Sequence, residues 1–176
     1  EEKHYDTCIR IPWLVCGPGI SKGTVNHGIV QPEDICPTIL ELAGMSMDIP
    51  PYAEIFMKID PKEIPLYHGA SMKKLLEGKS VEWRTAGYCE SYNPVFSMKP
   101  TDWARTVVTE RYRYTYYFHG GEQLFDLQED PDELYNLAKK TEYQDIKKEL
   151  KDILLEKIIG QDYPKPIRQL YCIGVH

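Results

Sequence analysis

The spacing of apolar positions changes character three times along the chain. Ile9-Arg10-Ile11-Pro12-Trp13-Leu14-Val15-Cys16 is almost unbroken apolar sequence after Arg10, the pattern of a strand covered on both faces in a parallel sheet. Pro12 removes one donor from its ladder, and Gly17-Pro18-Gly19 ends it. Gln31-Pro32-Glu33-Asp34 then places a proline and two acids where a helix begins. Ile35, Ile39, Leu40 and Leu42 form the apolar face of that helix, Asp34 caps or acidifies its first turn, and Gly44 suits a left-handed C-cap. Strand, loop and covering helix make half of an α/β unit.

From 45 to 80 the pattern is irregular and studded with Pro50, Pro51, Pro61 and Pro65, which reads as a surface excursion. It holds one short helix, Ser71 to Leu76, entered from His68-Gly69-Ala70 and stopped by Gly78. Beyond Val81 the period becomes two. Trp83 to Tyr92 and Ala104 to Glu110 are strand-like, and Arg111 to Phe118 alternates with Tyr112, Tyr114, Tyr116 and Phe118 on one face. His119-Gly120-Gly121-Glu122 is a turn, and Gln123 to Leu127 is a further strand. Between Tyr143 and Ile159 the period returns to that of a helix: Ile146, Leu150, Ile153, Leu154 and Ile158 form a single stripe that needs a sheet face to cover. The expected fold is therefore the end of an α/β sandwich over 1–80, followed over 81–176 by a small α+β subdomain of antiparallel strands packed on a C-terminal helix, with an extended tail from Gln161 to His176.

Composition narrows the function classes. Hydrophobic content of 42% and charged content of 27% fit a globular domain. The net charge of -6 is spread along the chain with no clustered basic face, which excludes a nucleic-acid or other polyanion binder. No apolar run approaches the roughly 20 residues of a membrane span. The five cysteines (Cys8, Cys16, Cys36, Cys89, Cys172) show neither CxxC pairs nor zinc spacing. They are expected to be buried structural thiols, and their odd number favours a reducing, cytoplasmic compartment.

Five motifs in order resemble the sulfatases of the alkaline-phosphatase-like superfamily. Tyr5-Asp6, Ile9-Arg10-Ile11-Pro12 and Gly17-Pro18-Gly19 together resemble that family's aromatic-acid pair, Arg-x-Pro strand and Gly-Pro-Gly turn. Asp34-Ile35-Cys36-Pro37-Thr38-Ile39-Leu40-Glu41-Leu42-Ala43-Gly44 is similar to its D-I-x-P-T helix. His68-Gly69-Ala70-Ser71-Met72 with Leu75-Leu76-Glu77-Gly78, then Arg105-Thr106-Val107 with Tyr112-Arg113-Tyr114, resemble its next two elements. The run from Leu124 to Ala138 is similar to its L-Y-D-L-x-x-D-P-x-E-x-x-N-L-A signature.

The resemblance implies the C-terminal portion of a sulfuric ester hydrolase, acting on a sulfate ester through a formylglycine nucleophile and a calcium ion. Charge growing on the sulfate oxygens calls for a metal and cations. No Cys-x-Pro-x-Arg or Ser-x-Pro-x-Arg occurs here, and the aspartate metal pairs are absent. Both are expected upstream of Glu1, in a partner portion of the same protein, so the chain alone is expected to be inactive and to bind no metal. The family's sulfate-contacting lysine stands four before the aromatic, which is Glu1 here; Lys3, two residues nearer, is the candidate cation for the leaving oxygen, and His4 the candidate proton donor. Arg10, His68 and His119 are candidate substrate contacts, with an Arg10–Asp6 ion pair as the structural alternative for Arg10. Asp126, Asp130, Asp132 and Glu133 lack calcium-loop spacing and are expected to fix the turn from sheet to helix. A phosphodiesterase or phosphonate monoester hydrolase on the same fold would share every motif, and a stand-alone interaction domain is the non-enzymatic rival.

Overall fold

The computed structural model describes residues 4–45, 68–91 and 103–161. In chain order its elements are α1 (Asp6–Ile9), α2 (Ile35–Leu42), α3 (Lys73–Leu76), β1 (Ala86–Ser91), β2 (Ala104–Thr109), β3 (Tyr112–Tyr117), β4 (Gly121–Asp126) and α4 (Gln144–Gln161), with 3-10 turns at Pro32–Asp34 and Thr141–Tyr143. Two compact units emerge, one within Glu1–Leu14, His27–Ile29 and Trp83–Ile159, the other within Val15–Asn26, Val30–Glu82 and Gly160–His176.

The first unit is an antiparallel meander in the order β1-β2-β3-β4. The period of two puts Val107, Tyr114 and Leu124 side by side on one face, since Val107 pairs with Tyr114 and Tyr114 with Leu124. The α4 stripe closes over that face: Leu150 and Leu154 are buried with Ala86, Val107, Tyr114, Leu124, Leu137 and Ala138, and Ile146, Ile153 and Ile158 pack at the margin. The sheet and covering helix read from the sequence are thus the observed ones. Phe118 departs from the tyrosine stripe, because β3 ends at Tyr117 and Phe118 stacks on Trp103 at 5.6 Å. Leu150 meets sheet side chains that cannot collapse into the space it fills, so Leu150→Ala is expected to cost about 2–5 kcal/mol in urea unfolding.

The second unit is held together by the N-terminus of α2. Gln31 N–H donates to Asp34 Oδ2 (2.8 Å) and Ala70 N–H to Asp34 Oδ1 (2.8 Å). Thr38 Oγ1 donates to the Asp34 carbonyl (2.5 Å) and accepts from Met72 N–H (2.9 Å). Two motif residues four apart, one helical turn, thereby sew the 68–72 loop to α2. Gly44 and Gly78 take φ of 69° and 71°. Each closes its helix with the paired C-terminal bonds of a Schellman motif: Gly44 N–H to Glu41 O with Met45 N–H to Leu40 O, and Gly78 N–H to Leu75 O with Lys79 N–H to Lys74 O.

Three expectations are corrected. The stretch from Ile9 to Cys16 is not a strand: Asp6–Ile9 is a helical turn and residues 10–16 pair with nothing in a sheet, leaving Leu14 97% exposed. A strand apolar on both faces takes shape only between parallel neighbours, and the described residues supply none. The apolar face of α2 is likewise uncovered, with Ile39 59% exposed, while Pro37 and Thr38 are the helix's buried positions. Cys8, Cys16 and Cys36 are exposed and Cys89 is half-buried, because the apolar runs around the first three lack that same cover. The excursion from 46 to 67, Cys172 and the tail from 162 lie outside the described residues.

Candidate functional site

The sheet face opposite α4 is polar and carries the start of the chain. Alternation in β3 sends Arg113 and Thr115 to this side, both fully buried. Arg113 Nε donates to Glu133 Oε1 and its Nη1 to the His4 carbonyl, with a further bond from Nη1 to Thr115 Oγ1 at 3.1 Å. The second oxygen of Glu133 accepts from the Asp6 N–H at 2.7 Å. Between these two backbone contacts the Tyr5 ring lies against the guanidinium (5.2 Å) and near Phe125 (5.9 Å between centroids), and Gln123 Nε2 donates to the Tyr5 hydroxyl at 3.4 Å. His4 is buried, its Nδ1 2.7 Å from Thr106 Oγ1, which is itself 2.8 Å from Thr115 Oγ1.

Glu133 reaches Arg113 because the turn after β4 is rigid. Arg111 donates two hydrogen bonds to Asp126 Oδ2 (3.0 and 2.8 Å), and the Gln128 N–H donates to Asp126 Oδ1 (3.2 Å). Burial raises the Asp126 pKa, but these bonds outweigh it and hold the carboxyl below its ordinary range. Asp130 takes the N–H groups of Leu134 and Tyr135 at 3.1 and 2.8 Å, and Asn136 Oδ1 takes those of Leu124 and Ala138 at 3.1 and 3.0 Å. Glu133 stands at the bend with a left-handed φ of 55°. Asp126, Asp130 and Glu133 are therefore committed to N–H groups and arginines, as expected of a turn, whereas Asp132 is exposed and, among the described residues, takes no such part. Among the described residues no three His, Cys, Asp or Glu groups converge on a point where a metal could sit.

The sequence-derived candidates fall in different places. Lys3 lies outside the described residues, one peptide bond before the buried His4. Arg10 is exposed and pairs with Asp6 at 3.4 Å. His119 is exposed at the β3–β4 turn with φ of 58°, its ring 4.0 Å from that of Phe118. His68 is half-buried in the other unit, beside Gly69. Hence His4, Arg10 and His119 share the first unit, and His68 belongs to the second. The residues missed from sequence are Arg113 and Glu133. Their signal was a charged residue amid an alternating tyrosine run, which points it away from the helix, with one acid twenty residues on in Asp-Pro-Asp-Glu.

On the helix side, a shallow cleft of about 580 Å³ is lined by Tyr116, Glu122, Lys139, Gln144, Lys147 and Lys151 among others. Glu122 accepts from Tyr114 Oη (2.8 Å), Lys151 Nζ (2.8 Å) and Lys147 Nζ (3.1 Å). Burial pushes its carboxyl up, yet the bonds from Lys151, Tyr114 and Lys147 prevail and bring it down to about 2. A folded pKa below the unfolded one contributes stability above the unfolded value and loses it as pH falls toward the folded value. Unfolding midpoints are therefore expected to drop between about pH 4.3 and pH 2 by the equivalent of about 1–2 kcal/mol from this group. Glu122→Gln should flatten that slope.

Comparison with known proteins agrees with this architecture. A Delta 4,5-hexuronate-2-O-sulfatase of Bacteroides thetaiotaomicron is 34% identical over 154 residues, covering 85% of this chain and 28% of the relative. A sulfatase crystal structure from the same organism superposes with a TM-score of 0.71 at 30% identity, over 92% of this chain and 32% of the other. A phosphonate monoester hydrolase of Agrobacterium radiobacter shares the fold at a TM-score of 0.51 and 24% identity, over 70% of this chain and 23% of the other. The chain thus spans about a third or less of the proteins it matches. The meander, its single covering helix and the motif order define the C-terminal portion of a sulfatase. Residues 2–160 match the family described as N-sulphoglucosamine sulphohydrolase, C-terminal, and the chain belongs to it. No helix among the described residues is long and apolar enough to cross a membrane.

Proposed function

We propose that the protein containing this chain hydrolyses sulfuric esters, and that this portion forms one wall of the substrate site. The observation that supports it is the placement of the chain start on the polar face of the sheet, where His4 is buried and Tyr5 half-buried against the Arg113 guanidinium. In this reading Lys3 brings its ammonium to the leaving oxygen, where negative charge grows as the ester bond breaks. His4 holds that position through Thr106, and the exposed Arg10 and His119 are available to substrate. The nucleophile and the calcium ion are assigned to the upstream portion, which also makes that portion the chain's principal partner. In this reading the unit built on α2 is the end of the catalytic α/β core, and the sheet-bearing unit, which includes the chain start, is the C-terminal subdomain.

The test is direct. The full-length protein, with its upstream sequence, is assayed on 4-nitrophenyl sulfate and on a 2-O-sulfated unsaturated disaccharide, with phenyl phosphonate monoesters alongside. Turnover of a sulfate ester that falls by about 10²-fold or more in Lys3→Ala supports the reading. Hydrolysis of phosphonate monoesters alone would replace it with the phosphoryl chemistry of the Agrobacterium relative.

A further inference from the structure

The cleft on the helix side of the sheet has no part in the arrangement at the chain start, which lies on the opposite face. The alternation of β3 sends Tyr112, Tyr114 and Tyr116 toward α4. Tyr112 and Tyr114 join the core, but Tyr116, at the end of the row, keeps 43% of its surface open. Around it stand Lys147 and Lys151, one turn apart on α4, and Lys139 from the loop before that helix. Three lysines thus line the cleft with a single carboxylate, Glu122.

That carboxylate fixes the two helix lysines without exhausting them. An ammonium has three N–H donors. Among the described residues Lys147 uses two, on Glu122 Oε2 and the Ala138 carbonyl, and Lys151 uses one, on Glu122 Oε1. Lys151 Nζ also stands 5.3 Å from the centre of the Tyr116 ring. The donors left over sit on side chains already held in place, so an anion that meets them has little ordering to impose. The cleft's volume of about 580 Å³ falls within the range of about 300–1,000 Å³ typical of small-molecule sites.

We propose that this cleft binds an acidic saccharide, a sugar ring bearing a carboxylate, at a site separate from the one at the chain start. The open part of the Tyr116 ring takes the C–H face of the sugar. Lys147 and Lys151 take its carboxylate through charge-assisted bonds, and Thr141 and Gln144 offer polar groups to its hydroxyls. A flat apolar ring system would call for a second stacking surface, and the lining holds one aromatic side chain. The site stands whether or not the protein hydrolyses sulfate esters.

The experiment is calorimetric titration of the full-length protein with digalacturonate, an acidic disaccharide that has no sulfate to lose, in buffers matched for ionic strength. Tyr116→Ala should weaken binding about fivefold or more, and Tyr116→Phe, which keeps the platform, should change it less than about twofold. Lys151→Met keeps the stem against Tyr116 and loses the charge, and should weaken binding about tenfold. Cellobiose, which is neutral, should bind at least about tenfold more weakly than digalacturonate, and inorganic sulfate should not displace the disaccharide. Absence of digalacturonate binding, or binding that is the same in Tyr116→Ala and Lys151→Met as in wild type, would overturn the proposal. Displacement by inorganic sulfate would also overturn it, by moving the ligand to a simple anion site. Adenosine monophosphate bound more tightly than digalacturonate, with the same loss in Tyr116→Ala, would replace the sugar with a nucleotide and overturn the assigned class. Should Tyr116→Ala fail to fold, Lys151→Met beside Tyr116→Phe carries the same comparison.

Discussion

Arg113→Met is expected to lower the stability of the sheet-bearing unit by about 3–5 kcal/mol, read as a shift in the urea midpoint followed by Trp103 fluorescence. The size follows from what is left behind. Among the described residues Glu133 would remain buried with only the Asp6 N–H to answer its charge, and the His4 carbonyl and Thr115 hydroxyl would each lose a donor. Adding Glu133→Gln to the methionine variant should restore about 1–2 kcal/mol, since the double variant no longer buries an uncompensated carboxylate. That ordering, double above single, separates an ion-pair effect from lost packing. If the double variant is no more stable than the single one, the glutamate is being answered by something other than Arg113.

Gly69→Ala should be nearly as damaging in the other unit, for a different reason. A Cβ at Gly69 would stand 2.0 Å from the Glu33 carbonyl oxygen, 2.3 Å from its carbon and 2.6 Å from the Asp34 nitrogen. All three are backbone atoms at the start of a helix and cannot swing aside as a side chain would. The 68–72 loop must lift, and with it go the Ala70 N–H to Asp34 and Met72 N–H to Thr38 bonds. A loss of about 2–4 kcal/mol is expected, and chemical shifts of the Ala70 and Met72 amides should move while those of β2 and β3 hold still. Thr38→Val, which removes the acceptor for Met72 but adds no bulk at Gly69, should cost less, about 1–2 kcal/mol.

The part of the fold built from near neighbours was readable in the residues. The alternation that puts Tyr112 and Tyr114 on one face and the stripe from Ile146 to Ile158 each demanded a partner, and each proved to be the other's, while Tyr116 at the end of the row stays exposed. The caps at Gly44 and Gly78 were equally legible, since left-handed glycine acts within a few residues. Asp34 was legible only as an acid at the head of α2: its carboxylate makes no side-chain cap bond to that helix and takes the Gln31 and Ala70 N–H groups instead. The Ile9–Cys16 run failed for the converse reason. Its apolar character reports the sheet it would join, and local sequence cannot show whether that sheet is at hand. The Arg113–Glu133 pair was hidden differently: the alternation turns Arg113 away from the helix, but it does not tell an arginine aimed at water from one aimed at a glutamate twenty residues away. Only the path of the chain start, brought beneath β3, makes the difference.

Glu133 also sets a limit on how this turn can vary. Its backbone sits at φ 55°, where glycine, asparagine and aspartate are most at ease, yet glycine has no carboxylate and the other two are a methylene shorter. Few substitutes meet both demands at once. Its neighbours Leu134 and Tyr135, 70% and 68% exposed, serve the turn through their amide groups and not their side chains. In a library randomised over 130–136, selection for a folded product should therefore leave positions 130, 133 and 136 nearly invariant and let 134 and 135 drift. The turn would behave as a fixed frame around a replaceable surface, and those two positions are where new binding side chains could be grafted without disturbing the sheet beneath.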